Sequence, residues 1–339
     1  MKKILVITYG SKDHASSRTR IIQYFDYLKA NQFSIFFLPQ RPIIGSGLMF
    51  ILYRFLFKKT QAFRKTWGLI FQNINLVFVS RVLLTSFDLF LIKKRKIKLI
   101  YDFDDALFLG SNNSCKKLTN CIKTAEKVIV STSYLTSFCA SNGVEAFVIP
   151  TSVNTDDFHP NLAKNDKKTV TIGWIGSPST EKYIYSLESI FKQLCAKYPE
   201  VEILVVGTSD NFILQNVRLK KSNWSIENEA ELVRNMDIGI MPLSEDKWSM
   251  NKGGYKLYLY FSTGIPCVAS PVGVNKEVVD HGENGYLATT EEEWVSYLSS
   301  LIEDPKLRVT LGNNGLEKCL EKYAKATCEQ KLYKILTEK

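Results

Sequence analysis

Apolar residues in this chain come in short solid runs separated by stretches of helical period. Ile4-Leu-Val-Ile-Thr8, Ser34-Ile-Phe-Phe-Leu38, Leu99-Ile-Tyr101, Lys127-Val-Ile-Val-Ser131 and Ala146-Phe-Val-Ile-Pro150 are each bounded by polar or turn residues. Runs of that length read as strands buried on both faces. Helical patterns fall between them, over about 17–31 and 115–125, so the first half alternates strand and helix and predicts a parallel sheet. The chain then turns polar and turn-rich from Thr151 to Lys168, as an interdomain linker does. The pattern restarts with strands at Val170–Gly176, Val201–Gly207, Ile238–Pro242 and Pro266–Ser270, separated by helices over 180–198, 227–235 and 254–262. From Glu291 onward the chain is helical, with Trp294, Leu298, Leu301 and Ile302 on one face.

The expected fold is therefore α/β, with two Rossmann-like, doubly wound parallel-sheet domains. Residues 1–155 form the first, 156–168 a linker, 169–320 the second, and 321–339 a polar helix crossing back to the first. Ligands of such sheets bind at the carboxyl ends of the strands, and two facing sheets make one interdomain cleft.

Length and composition agree with this division. At 339 residues the chain suits two domains, and 45% hydrophobic content excludes a disordered chain. Seven scattered cysteines contain no CxxC pair, which points to a reduced, cytoplasmic setting without a zinc site. The apolar run after Met1-Lys-Lys is too short for a signal peptide and reads as a first strand.

Charge adds a further feature. Of the net +10, residues 41–100 contribute twelve Lys or Arg against the single acid Asp88. Within them, Leu48-Met-Phe-Ile-Leu-Tyr-Arg54-Phe-Leu-Phe57-Lys-Lys59 is far short of a membrane span. Basic residues interleaved with large apolar ones predict, over residues 48–98, a surface that lies on an anionic membrane, peripheral on the inner face of the cell membrane. No nucleic-acid module matches the segment, so nucleic acid is not the expected partner.

The chemistry concentrates in Lys252-Gly-Gly-Tyr255-Lys256-Leu-Tyr-Leu-Tyr260-Phe-Ser-Thr-Gly264-Ile-Pro266. A glycine-led helix start offers unpaired N–H donors, and two lysines at i,i+4 on one face add charge. The pattern suits a diphosphate. Gly176-Ser177-Pro-Ser-Thr180, with Lys182 just beyond, offers a second such loop after a strand.

Taken together, these pieces resemble the GT-B-fold glycosyltransferases of the large retaining family 4. The matching segments are Gly10 with Ser16-Ser-Arg18-Thr-Arg20, Tyr101-Asp-Phe-Asp-Asp-Ala-Leu-Phe108, Ile149–Asn154, Gly173–Lys182, Lys256–Pro266 and Gly282-Glu-Asn-Gly-Tyr-Leu287. The resemblance implies a hexosyl- or deoxyhexosyltransferase that needs no cofactor or metal. Its partners would be a nucleotide sugar as co-substrate and a glycan or lipid-linked glycan acceptor, in surface polysaccharide biosynthesis. On that reading Lys182 and Lys256 are catalytic, stabilising the departing diphosphate, and Asp104 is catalytic at the acceptor. Gly10, Gly176, Ser177, Thr180, Lys252, Tyr255, Tyr260 and Glu277 bind the donor, while Arg18, Arg20, Asp102 and Asp105 meet the acceptor or a phosphate.

The sequence departs from the family pattern in two places. Ser177 stands where many members have an arginine, and Asn251 and Leu259 stand where a pair of glutamates is common. These departures leave open a catalytically silent scaffold, and a sugar-nucleotide epimerase of the same fold is a further alternative. Asp102, Asp104 and Asp105 also resemble the metal-binding aspartates of the GT-A architecture, which lacks the doubled pattern found here. The missing GxGxxG after the first strand speaks against a dehydrogenase.

Overall fold

A computed structural model describes residues 1–40, 60–70, 73–160 and 168–338. The sequence-predicted membrane segment Leu48–Lys59 and part of the predicted linker lie outside the described residues.

The chain forms two compact units, one of Met1–Thr151 together with the C-terminal residues from Cys328, the other of Ser152–Thr327. In the first unit the elements are β1 (Lys2–Tyr9), α1 (Ala15–Arg20), α2 (Phe25–Ala30), β2 (Phe33–Gln40), α3 (60–70), β3 (Leu76–Ser80) and α4 (Ser86–Lys94). β4 (Lys98–Phe103), α5 (Asn112–Thr124), β5 (Lys127–Val130), α6 (Ser133–Ser141) and β6 (Ala146–Val148) follow. The six strands are all parallel, in the order β2-β1-β3-β4-β5-β6. The order reverses between β1 and β3, the switch point at which doubly wound sheets bind ligands.

Strict alternation along β1 feeds two cores. Leu5 and Ile7 pack on one face, and Ile4 and Val6 on the other, under Cys328, Leu332, Ile335 and Leu336 of the C-terminal helix.

The second unit contains β7 (Val170–Ile175), α7 (Lys182–Tyr185), α8 (Glu188–Lys197), β8 (Val201–Val206), β9 (Leu219–Ser222), α9 (Glu229–Arg234) and β10 (Ile238–Met241). It continues with α10 (Tyr255–Ser262), β11 (Cys267–Ala269), α11 (Asn275–Val278), β12 (Gly285–Leu287), α12 (Glu291–Glu303) and α13 (Pro305–Lys322). α14 (Lys325–Thr337) begins here and runs into the first unit. This sheet is also fully parallel, in the order β12-β11-β10-β7-β8-β9, so its switch point lies between β7 and β10.

Several local expectations change. The helix expected over 17–31 is two, α1 and α2, joined by a 3₁₀ turn at Ile22–Tyr24. Three strands, β3, β9 and β12, were not separated from their surroundings by pattern alone. Leu76-Val-Phe-Val-Ser80 is fully buried, yet it follows an apolar, basic stretch that masks its boundaries. The polar stretch after Pro150 is partly core, for Val153 and Phe158 are buried in the second unit.

Candidate functional site

The second unit's switch point gathers three lysines. β7 ends at Ile175, and Gly176 brings the chain over the Trp174 ring, where a Cβ would stand 2.3 Å from two ring atoms. Only glycine allows that approach. Lys256 stands in the first turn of α10 with its ammonium 5.4 Å from the Trp174 ring centroid. Gly254, at the helix's N-cap, has φ +70, a left-handed turn that a side chain would strain. Lys252 precedes that turn in extended backbone, φ −72 and ψ 143. The expectation that Lys252 and Lys256 share one helix face is therefore corrected, because the helix starts at Tyr255.

They converge by another route. The Lys252 ammonium lies 5.8 Å from the Tyr183 ring centroid, and the Lys182 ammonium lies 4.9 Å from the same ring. Burial first, then the neighbouring Lys252 charge, pushes Lys256 down to about 7. Among the described residues none of the three lysines has an ion-pair partner. Lysines without carboxylate partners, gathered on aromatic rings at a switch point, suit an anionic ligand.

The other predicted donor residues divide. Ser177 and Thr180 close their own turn: Thr180 Oγ1 accepts from Ser177 N at 3.2 Å and donates to Ser177 O at 2.9 Å, and the Ser177 and Ser179 hydroxyls lie 3.0 Å apart. Tyr255 is half-buried against the core. Tyr260 is wholly buried; its hydroxyl donates to Ile240 O at 3.1 Å and its ring packs on Gly239. A role for Tyr260 in donor binding is corrected, since a core residue offers no surface to a ligand. Glu277 is exposed on α11, its charge felt at Tyr323 and its backbone carbonyl accepting from Lys318.

At the first unit's switch point the predicted charges also sort themselves. Arg20 and Asp102 form a buried ion pair, with the Arg20 Nε donating at 3.2 and 3.3 Å to the two carboxylate oxygens. Ser80 Oγ donates to Asp102 at 2.7 Å, and Arg20 also donates to Ile149 O. Burial works against the Arg20 charge, but the Asp102 carboxylate outweighs it and holds Arg20 protonated. Both residues are 4% exposed or less, so the expectation that they meet an acceptor or phosphate is corrected: they staple β4 to α1.

Asp104 and Asp105 are held instead by Arg81, at 3.3 and 2.9 Å, and the same guanidinium donates to Ser16 Oγ at 2.6 Å. Arg81 has φ +62, a left-handed conformation that costs an arginine about 1 kcal/mol or more. Gly10 has φ +100 and seats the His14 side chain, which a Cβ would strike at 2.5 Å. The His14 Nδ1 is buried without a hydrogen-bond partner, and the Asp104 oxygen beside Arg81 is ion-paired but makes no hydrogen bond. Burial, then Arg81, lowers the His14 pKa, while Asp104 opposes and Arg18 adds to the lowering. Arg18 thus stands in the same charged neighbourhood. With its carboxylates taken up by Arg20 and Arg81, the Asp102–Asp105 run does not form a metal cluster, and no group of three His, Cys, Asp or Glu side chains able to hold a metal ion occurs among the described residues.

Trp174, Tyr183 and Arg81 were not predicted as site residues. The two rings serve through proximity that pattern does not encode, and Arg81 follows a strand whose boundaries were masked.

Comparison with known proteins agrees with this architecture. Residues 167–304 match the family model described as glycosyl transferases group 1. The capsular polysaccharide biosynthesis glycosyltransferase CapM of Staphylococcus aureus is 21% identical over 234 residues, 65% of this chain and 58% of CapM, so the chain spans little more than half that relative's length. Among solved structures, sucrose-phosphate synthase from Thermosynechococcus elongatus superposes with a TM-score of 0.72 at 13% identity, covering 99% of this chain and 98% of that one. Anabaena HepE, solved with UDP-glucose, gives 0.72 at 16% identity, covering 99% and 100%. Likeness at such identities shows the fold. The chain has the GT-B fold, and residues 167–304 of its second unit match the glycosyl transferases group 1 model.

Proposed function

We propose that this protein is a retaining glycosyltransferase that moves a hexosyl or deoxyhexosyl group from a nucleoside diphosphate sugar to a glycan or lipid-linked glycan acceptor, in the assembly of a surface polysaccharide. The observation that carries this reading is the set of unpaired lysines 182, 252 and 256 at the β7/β10 switch point, inside the segment matched by the group 1 model. HepE, of similar fold, was solved with UDP-glucose, and CapM is described as a capsular polysaccharide enzyme.

When the bond from the anomeric carbon to the diphosphate breaks, negative charge builds on the departing phosphate oxygens. Pre-placed ammonium groups stabilise that charge without reorganisation, and need no metal to do so. Lys256 suits the task because its seat over Trp174 is poor in water, which strengthens its pull on an anion. Asp104, held just after β4 by its ion pair with Arg81, accepts the hydrogen bond of an incoming hydroxyl and then its proton. Retention follows from the resemblance to family 4.

The test is a transfer assay with a panel of nucleotide sugars and lipid-linked glycans, scoring release of nucleoside diphosphate together with glycan elongation. Lys256→Ala is expected to lose about 100-fold in turnover. Near wild-type turnover in the folded variant would remove its assigned role.

We also propose that the first unit rests on an anionic membrane surface. Phe63 and Trp67 on α3, and Phe87 and Phe90 on α4, are each at least half exposed, and Lys93 and Lys94 end α4. Among the described residues no helix is long and apolar enough to cross a membrane. Flotation with anionic vesicles should weaken in Lys93→Gln/Lys94→Gln, and unchanged flotation would refute the attachment.

A further inference from the structure

Beyond the three lysines, a chain of hydrogen bonds runs from the loop after β10 back to Tyr183. The Asp246 carboxylate accepts from Ser244 Oγ at 2.7 Å, from the backbone N–H groups of Trp248 and Ser249 at 2.9 Å each, and from Ser249 Oγ at 2.9 Å. Those bonds, the Ser244 hydroxyl first, hold Asp246 down at about 2, so it remains an acceptor at every working pH. Because Ser249 gives its proton to Asp246, its oxygen can only accept from the Tyr183 hydroxyl, 2.8 Å away. The bonds therefore run one way, from Tyr183 through Ser249 to Asp246. Ser249 is 1% exposed and Tyr183 6%, so the link between their hydroxyls is shielded from competing water.

The far end of this relay is the ring that carries two of the lysines. Lys182 opens α7 beside Tyr183 and Lys252 comes from the loop after β10, and the Tyr183 ring is the surface they share. Two ammonium groups brought to one ring repel each other and have no carboxylate to offset them. The negative face of the aromatic ring supplies the compensating attraction. Fixing the ring's plane through its hydroxyl then fixes where both charges stand.

We infer that Tyr183, oriented by Ser249 and Asp246, is the positioning residue of the anion site: its ring gathers Lys182 and Lys252 so that both address one bound diphosphate. This rests on the proposed nucleotide-sugar reading, and it assigns roles to three residues outside the lysine set.

The experiment is calorimetric titration of the full chain with UDP, GDP, ADP and dTDP, followed by the best binder and its monophosphate against four variants. Tyr183→Leu removes the ring and should weaken the diphosphate about tenfold while leaving the monophosphate within about twofold, since fewer ligand charges depend on the pair. A folding defect would instead lower both together. Tyr183→Phe keeps the ring and loses only its tether, so it should fall about threefold. Ser249→Ala should do the same, and the double variant should be no worse than either alone, because both break one chain of bonds. Wild-type binding with an unaffected Tyr183→Leu variant would overturn the positioning role and leave the nucleotide-sugar reading standing. Additive losses in the double variant would overturn the relay. No binding of any diphosphate by the wild type would overturn both.

Discussion

In the proposed transfer reaction Lys256 stabilises the departing diphosphate, and its environment makes its charge conditional. Burial, then Lys252, depresses it to about 7. A base whose folded pKa lies below its unfolded value binds fewer protons folded than unfolded between those two values. Stability contributed through this group therefore rises with pH from about 7 toward 10.4. Lys256→Met, which keeps the stem and removes the charge, should raise the melting temperature near pH 6. The gain should shrink as pH climbs past 7, and a constant gain across that range would contradict the assignment. A bound diphosphate favours the charged form, so binding at pH 8 should take up close to one proton, seen as a dependence of binding heat on the buffer's ionisation enthalpy.

At the first switch point Asp104 carries the corresponding prediction. Asp104→Asn keeps the shape and one acceptor but cannot take a proton, so turnover should fall about 100-fold with nucleoside diphosphate affinity unchanged. An equal loss of affinity would move Asp104 out of the acceptor role.

At the scale of elements, the site is made by how strands end. β7 stops at Ile175 because the next residue, Gly176, must pass over Trp174, and β10 opens into the loop that carries Lys252 before α10 begins. Gly176→Ala places a methyl 2.3 Å from the Trp174 ring. The ring cannot remain beneath Lys256 without backbone movement, and a loss of about 1–3 kcal/mol is expected by denaturant titration.

Solid apolar runs at β1, β4, β5, β7, β8, β10 and β11 announced themselves because strands buried on both faces have no polar alternation to obscure them. β9, Leu-Lys-Lys-Ser at the sheet's edge, is polar at three of its four positions and carries no such signal. Lysines 182, 252 and 256 were legible from glycine-flanked positions after strands. The rings beneath them were not, because nothing in spacing states that Tyr183 and Trp174 turn toward residues some 70 to 80 positions away. Arg20 and Asp102 were legible only as charges near a site, and folding spends them on each other.

For the whole molecule, each unit has its own pair of cores around its own sheet, and the first depends on a buried charge pair. Arg20→Ala leaves the Asp102 carboxylate without its cation in a fully covered position, which costs about 3–5 kcal/mol. Urea unfolding should show that loss, and a change below about 1 kcal/mol would mean that Ser80 alone suffices for Asp102. The second unit's switch point lies in a different core, so the residual folded fraction of Arg20→Ala should bind nucleoside diphosphate as the wild type does.

On the proposed reading, the lysines of the β7/β10 switch point hold a nucleoside diphosphate. Calorimetric titration of the wild type and Lys256→Ala with UDP, GDP, ADP and dTDP tests it most directly. Saturable binding of at least one diphosphate by the wild type is expected, with affinity at least about tenfold weaker in the folded variant. Equal affinity of the two proteins for that diphosphate, or binding of none by the wild type, would contradict it.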